Sequence, residues 1–264
     1  MPLLADPGAI RAILETDRPW AAYALADLAP SFFGACEWHA GTAPSQTSPG
    51  SAAILLLYRA FETPVLITLG APQAISPLLD EIGDEREMYL SVRPEILPLI
   101  RARYTVKPEA PMWRMLLAPE AFRPSPLSEA VRLGPGDLLA LQQLYADGLP
   151  TSEAPDFFSP EMLEQGVFFG IREGQSLVAA AGTHLWTLLE SVGTVGNVYT
   201  RRDRRGRGLA GGVTSAVTTK LLELGLQTIV LNVAQPNLTA IGVYERLGFA
   251  RYCAFYEGRA SKRP

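Results

Sequence analysis

Residues Arg205 to Ala210, reading Arg-Gly-Arg-Gly-Leu-Ala, lie between a β-rich run, Val192 to Thr200, and a helix-forming run, Leu209 to Leu224. A glycine-rich turn that opens a helix leaves several backbone N–H groups unpaired and pointing into one hollow. Those donors and the positive end of the helix dipole make a site for a pyrophosphate. Gly206 and Gly208 let the backbone approach an anion with no Cβ in the way. The stretch therefore requires a strand–turn–helix unit and points to a phosphate-bearing cofactor.

Two familiar phosphate motifs do not fit. The GxxxxGK[ST] loop is excluded, because the only lysines are Lys107, Lys220 and Lys262, none in a Gly-Lys-Ser or Gly-Lys-Thr. Gly206, Gly208 and Gly211 satisfy GxGxxG, but a dinucleotide site needs an acid on the ribose at the end of the next strand. That strand, Gln227 to Val233, ends in Asn232, Val233 and Ala234. Arg201, Arg202, Arg204, Arg205 and Arg207 also intervene where a dinucleotide fold turns tightly.

The Arg-x-x-Gly-x-Ala pattern at Arg205, Gly208 and Ala210 resembles the pyrophosphate loop of the GNAT family, the GCN5-related N-acetyltransferases. Downstream, Asn237-Leu-Thr-Ala240-Ile-Gly-Val-Tyr244-Glu-Arg-Leu-Gly-Phe249 resembles that family's last helix and the turn into its final strands. The two segments come in the family's order, separated by one helix and one strand. The resemblance runs from about Leu127 to Arg259, and Val198-Tyr199-Thr200 is similar to the FR47-like subgroup, which includes relatives of glycine N-acyltransferases.

Length and composition set the frame. At 264 residues the chain exceeds one typical domain, so two are expected. Hydrophobic content of 48% with 19% charged residues reads as globular. A net charge of −4 gives no footprint for general nucleic-acid binding. The arginine cluster is the local exception, either a solvated loop or an attraction for a polyanionic cofactor. Cys36 and Cys253 are expected in different domains as free thiols, with no disulfide framework or metal site. The N-terminus does not resemble a signal peptide and no run approaches 18 apolar residues, so a cytoplasmic protein with no membrane partner is expected.

The N-terminal half reads as a helix over Pro19 to Leu28 capped by Asp17, then a loop from Gly41 to Gly50. A hairpin of Ala52 to Arg59 with Val65 to Gly70 follows, then a helix over Pro72 to Ile82 and a strand over Met88 to Val92. A helix over Pro94 to Arg103 and a strand over Trp113 to Leu117 complete it. Three prolines between Ala118 and Pro126 mark the boundary. Beyond it come a strand near Glu129 to Leu133, helices over Pro135 to Tyr145 and Pro160 to Gln165, and strands over Val167 to Arg172 and Leu177 to Thr187 joined at Glu173-Gly174. Trp20, Trp38 and Trp113 are expected in cores or interfaces. The shared order of elements suggests a tandem repeat. The expected fold class is α/β with a mixed sheet, a degenerate GNAT-like half over residues 1–120 and a complete GNAT domain over 127–264. Met88 to Val92 is followed by Arg93-Pro94-Glu95, with no glycine and one N–H fewer, so one cofactor per chain is expected.

The resemblance implies acetyl-CoA as cofactor and N-acetyl transfer to a primary amine by direct attack in a ternary complex. Tyr244 resembles the tyrosine that many members place beside the departing sulfur, while a plain reading makes it a packing residue. Asn237 either bonds the pantetheine or phosphate arm or caps its helix. Val198, Tyr199 and Thr200 would offer backbone groups to the pantetheine and the thioester oxygen. Arg205, Gly206, Arg207, Gly208, Leu209 and Ala210 would surround the diphosphate, mostly through main-chain donors. His184 is a candidate base, with a structural histidine as its alternative, and Glu190 is similarly placed. Glu153 and Asp156, in the loop bordering the acceptor pocket, would recognise a cationic amine or be solvated charges. Two other readings remain open: a longer acyl-CoA with an amino-acid acceptor, and a non-catalytic CoA-binding protein. The acceptor, a small molecule or a peptide amine, and homodimer formation are not legible, since acceptor pockets come from variable loops.

Overall fold

The computed structural model describes residues 3–42, 52–82, 85–127, 129–155 and 157–263, so positions 43–50 of the expected loop lie outside the described residues. The chain forms two compact units, Met1–Arg114 with Tyr252–Pro264, and Met115–Arg251.

In the first unit, α1 (Pro7–Leu14) starts where the Asp6 carboxylate accepts from the Gly8 N–H at 3.0 Å and Pro7 pre-sets the first helical φ. Asp17 does not cap the expected helix: its Oδ1 accepts from the Trp20 N–H at 3.3 Å in the turn before it, and Ala21 stands at the N-cap with no side-chain bond. The helix that follows, α2 (Ala22–Ala26), is shorter than expected, and Trp20 lies before it, buried at 1% exposure. Trp38 is buried as well, whereas Trp113 is only half-buried. Helix α3 (Pro30–Phe33) leads into β1 (Cys36–Thr42), a strand absent from the sequence expectation although Cys36-Glu37-Trp38-His39-Ala40 alternates apolar and polar residues. Strands β1, β2 (Ala52–Tyr58) and β3 (Val65–Leu69) run antiparallel, with Cys36 opposite Tyr58 and Leu57 opposite Leu66. Helix α4 (Pro72–Glu81) crosses over to β4 (Glu87–Val92), parallel to β3 with Val65 opposite Tyr89. Its Ala74, Ile75, Leu78 and Leu79 recur at helical spacing and are buried with Leu55, Leu57 and Leu90. Helix α5 (Leu97–Arg103), β5 (Tyr104–Val106) and β6 (Ala110–Leu117) follow, and the boundary between units falls inside β6.

The second unit takes in the end of β6 from Met115 and continues with β7 (Val131–Leu133), α6 (Leu138–Ala146) and α7 (Pro160–Gln165). Strands β8 (Phe168–Glu173), β9 (Ser176–Thr187) and β10 (Val192–Thr200) form an antiparallel meander with β7 on its edge. Helix α8 (Leu209–Glu223) crosses to β11 (Thr228–Ala234), parallel to β10, and α9 (Leu238–Arg246) completes the unit. Helix α8 contains Thr, Val and Gly, poor helix formers, and is held by packing. Gly212 fits because a Cβ there would lie 3.2 Å from Leu127 and 3.4 Å from Ile171.

Two sequence expectations change here. The last strand, β12 (Ala250–Lys262), belongs from Tyr252 onward to the first unit, pairing with β4 (Tyr256 opposite Val92) and β5 (Ala260 opposite Val106). A contiguous domain over 127–264 is therefore not what forms, since β4 and β5 offer edges that the C-terminal strand satisfies. Cys253 accordingly shares a unit with Cys36, and both are free thiols. Among the described residues no helix is long and apolar enough to cross a membrane.

Candidate functional site

The register of β10 changes twice against β9. Thr194 faces Leu185 but Val195 faces Thr183, leaving His184 as an extra residue. Gly196 faces Gly182 but Tyr199 faces Ala180, a second irregularity, where Asn197 takes a φ of 52°. Left-handed backbone is tolerated by asparagine better than by most residues. On its other side β10 pairs with β11 only from Val192–Thr228 to Val195–Leu231, so the two strands part beyond Val195. The structure thus places Val198, Tyr199 and Thr200 beyond the point where β10 leaves β11, with Tyr199 and Thr200 still paired to β9. Backbone groups on the side facing away from β9 are open to a ligand, and buried Asn197 Oδ1 and Thr200 Oγ1 have no hydrogen-bond partner among the described residues.

Two residues not singled out by the sequence reading fix this geometry. The buried Tyr145 hydroxyl donates to the Asn197 carbonyl at 2.9 Å, holding the irregular turn of the strand. The Asp147 carboxylate accepts from the Tyr199 hydroxyl at 2.8 Å and from the Arg202 N–H at 3.0 Å. It is held below the usual carboxylate range chiefly by that Arg202 backbone donor, then by Tyr199. No motif marks either residue, because their role depends on α6 ending beside β10, a tertiary fact.

The turn from β10 to α8 spans Arg201 to Gly208. Gly206 and Gly208 have φ values of 76° and 77°, the left-handed conformation that glycine enters without strain. The first helical bond runs from the Gly212 N–H to the Gly208 carbonyl at 3.1 Å, so the donors of Leu209, Ala210 and Gly211 precede the ladder. Gly206, Arg207 and Gly208 are exposed and Leu209 and Ala210 half-buried. A helix N-terminus with open donors fits a diphosphate.

The arginines are placed differently from expectation. Glu153 takes Arg205 by two bonds, 2.8 and 3.2 Å, and that contact holds its carboxyl down to about 2. Arg204 lies 2.7 Å from Glu173 and 2.6 Å from Asp203, Arg201 is 2.6 Å from Asp203, and Arg207 is 3.7 Å from Glu173. The cluster that reads as a basic patch is thus largely compensated by Asp203 within the turn, Glu173 at the end of β8 and Glu153. Glu153, expected to meet an amine, is engaged by Arg205 and by the Thr151 hydroxyl at 2.7 Å. Asp156 lies outside the described residues.

Tyr244 is buried at 7% exposure beside Phe249, ring centroids 6.3 Å apart. Burial pushes its hydroxyl up to about 12. The preceding residue, Val243, lies against Gly211, where a Cβ would be 3.8 Å from Cγ1, so α9 abuts the first turn of α8. Asn237 serves as the helix cap, its Oδ1 accepting from the Ala240 N–H at 3.1 Å. His184 packs over Gly196, where a Cβ would come within 2.3 Å of Nε2, and burial pushes its pKa down to about 4. Such an imidazole is neutral near pH 7. Glu190 is buried at 4% exposure near the turn between β9 and β10.

Known proteins share this fold and parts of this sequence. Residues 168–257 match the model of the FR47-like protein family. A mycothiol acetyltransferase of Geodermatophilus obscurus is 31% identical over 125 residues, covering 44% of this chain and 38% of that protein. The chain thus spans well under half the length of the curated relatives it matches. A GNAT-family acetyltransferase structure from Novosphingobium aromaticivorans, 24% identical, matches with a TM-score of 0.58 over 80% of this chain and 89% of its own. A tandem GNAT protein from the clavulanic acid biosynthesis pathway, 16% identical, matches with a TM-score of 0.55 over 99% of this chain and 98% of its own.

Proposed function

For a chain with the GNAT fold, FR47-like over residues 168–257, we propose acetyl-CoA-dependent N-acetyl transfer to a primary amine, performed by the second unit. The observation that carries this reading is the combination within one crossover: β10 parts from β11 at Val195, and the turn that follows ends in a helix N-terminus with open donors. Neither feature is needed to close a parallel strand–helix–strand unit. Together they fit an extended arm that ends in a diphosphate.

When bound, acetyl-CoA supplies a thioester carbonyl to which an amine nitrogen adds as the sulfur leaves. The N–H groups of Gly206 to Gly211 would hold the diphosphate, and the backbone of Val198 to Thr200 on the side that β11 leaves open would align the pantetheine. The Tyr244 hydroxyl, with its pKa pushed up to about 12, keeps its proton at neutral pH and would stabilise the departing thiolate as a hydrogen-bond donor, while the proton lost by the amine passes to solvent. His184, neutral near pH 7, is a weak base, so its part is better described as packing on the turn of β10. Both cysteines lie in the first unit, which supports direct attack without an acyl-enzyme.

The experiment is a calorimetric titration of the full chain with CoA, paired with a thiol-release assay of acetyl-CoA over an amine panel. The relatives named for mycothiol put a mycothiol-type acceptor in that panel, beside amino acids, peptide N-termini and lysine. One site per chain and thiol release with at least one amine are expected. No binding, or binding without release on any amine, would overturn the enzymatic reading.

A further inference from the structure

The segment that follows α6, residues 147–155, is joined to the cofactor turn at three points that phosphate binding does not require. Asp147 holds the Tyr199 hydroxyl and the Arg202 N–H, at 2.8 and 3.0 Å. Gly148 lies so close to Tyr199 that a Cβ would come within 2.8 Å of its ring. Glu153 grips Arg205 with both carboxylate oxygens, while Arg205 Nε also reaches the Thr200 carbonyl at 3.3 Å and its guanidinium lies 5.8 Å from the Tyr199 ring centroid. The segment carrying these carboxylates is the one expected from the sequence to border the acceptor.

Building on the CoA reading above, we propose that these two carboxylates act on cofactor affinity with opposite sign. Asp147 is a positioning residue: it fixes the first backbone donor of the turn and the end of the parting strand, so the remaining donors are aimed before the diphosphate arrives. Glu153 is a competitor: it occupies the Arg205 guanidinium that a diphosphate could otherwise engage. When the diphosphate takes Arg205, the 148–153 segment loses its tether, and acceptor access becomes coupled to cofactor occupancy. Coupling of this kind is reciprocal, so acceptor binding must shift CoA affinity by the same factor.

Charge alone predicts otherwise. Removing either negative group near a polyanion site should tighten CoA binding. Positioning predicts that Asp147→Ala weakens it, by about tenfold for two lost hydrogen bonds, and that Asp147→Asn, which keeps an accepting oxygen, restores most of the affinity. Tyr199→Phe, which leaves Asp147 and its bond to Arg202 in place, should weaken CoA binding less than Asp147→Ala. Competition predicts that Glu153→Gln tightens CoA binding by about two- to fivefold, the range of an exposed ion pair.

The test is calorimetry with CoA on the full-length chain and these four variants, with thermal unfolding of each as a check on folding. If Asp147→Ala does not fold, the Asn and Phe variants carry the positioning arm. The opposite signs, with recovery in the Asn variant, are the expected result. Tighter binding in both Asp147→Ala and Asp147→Asn, or weaker or unchanged binding in Glu153→Gln, would overturn the inference while leaving the CoA reading intact. A wild-type chain that binds no CoA would overturn both.

Discussion

The two parallel crossovers, β3–α4–β4 in the first unit and β10–α8–β11 in the second, share a topology and differ in their corners. The first turns from Leu69 to Pro72 through Gly70 and Ala71, and its helix begins with a proline that has no N–H. The second takes Arg201 to Gly208 to make the same connection and opens its helix with donors. Strand β3 keeps an unbroken register with β2 from Tyr58–Val65 to Ile54–Leu69, whereas β10 slips twice against β9 and then leaves β11. A crossover is stabilised by apolar faces and a right-handed connection, and neither needs a long corner. An anion site further needs chain length, left-handed glycines and a strand freed from its neighbour. The fold therefore persists in the first unit without the features of the site.

The contrast is tested most strongly by adding side chains at the two corners. Gly208→Val puts a branched residue at a φ of 77°, with its Cβ 3.2 Å from the Leu127 side chain. It should weaken CoA binding by about 100-fold or more, read by calorimetry, while the chain stays folded. Gly70→Val, at a φ of 127° and with a Cβ only 2.5 Å from that of Ala53, should instead unfold or insolubilise the protein. If both variants behave alike, the two corners do not differ in role.

Next in size is Tyr244→Phe, expected to lower turnover by about 100-fold with CoA affinity within about twofold of wild type. Because burial pushes this hydroxyl up to about 12, it should contribute no alkaline limb to the rate below about pH 10. A fall in affinity with turnover kept would make Tyr244 a packing residue.

Two smaller effects separate the units by pH. Burial raises Asp27, in the first unit, from 3.8 to about 8. The unfolded chain ionises this group first, so its contribution to stability is full below about pH 4 and is lost as pH rises towards 8. Asp27→Asn should remove that loss, on the order of a few kcal/mol at pH 8, visible as a melting temperature that no longer falls over this range. His184, in the second unit, is lowered from 6.5 to about 4, so its contribution is present above pH 6.5 and lost as pH falls towards 4. His184→Gln should flatten that acid limb by about 1–3 kcal/mol. Matching pH profiles in wild type and variant would contradict either assignment.

The fold is legible in the sequence where local pattern and tertiary need agree. The Ala52–Tyr58 run, the helix from Pro72 and the Val192–Thr200 strand with its glycine-rich exit all lie close to their sequence bounds. What the sequence hides has particular causes. The order of elements read from the sequence aligns the cofactor corner with Arg93-Pro94-Glu95 after β4, whereas the equivalent crossover follows β3. Strand β1, a short alternating run left out of that order, shifts the count by one strand. Arg93 in fact pairs with Asp17 at 2.7 Å. The destination of β12 depends on open sheet edges far upstream in the chain, and no local signal states it. At the site, glycines announce the turn, since their conformational freedom is a local property. The partners of Arg205 and Tyr199, Glu153 and Asp147, come from a loop 52 residues upstream in each case. They emerge only once α6 is seen to end beside β10.

Backbone donors between Gly206 and Gly211 holding a diphosphate are the central claim. The most direct test is a structure of the full chain with CoA bound. The expected result is diphosphate oxygens within hydrogen-bond distance of these N–H groups and a pantetheine lying where β10 and β11 part. A diphosphate bound elsewhere, for instance at the corner between β3 and α4, with the Gly206–Gly211 donors facing only water, would contradict it.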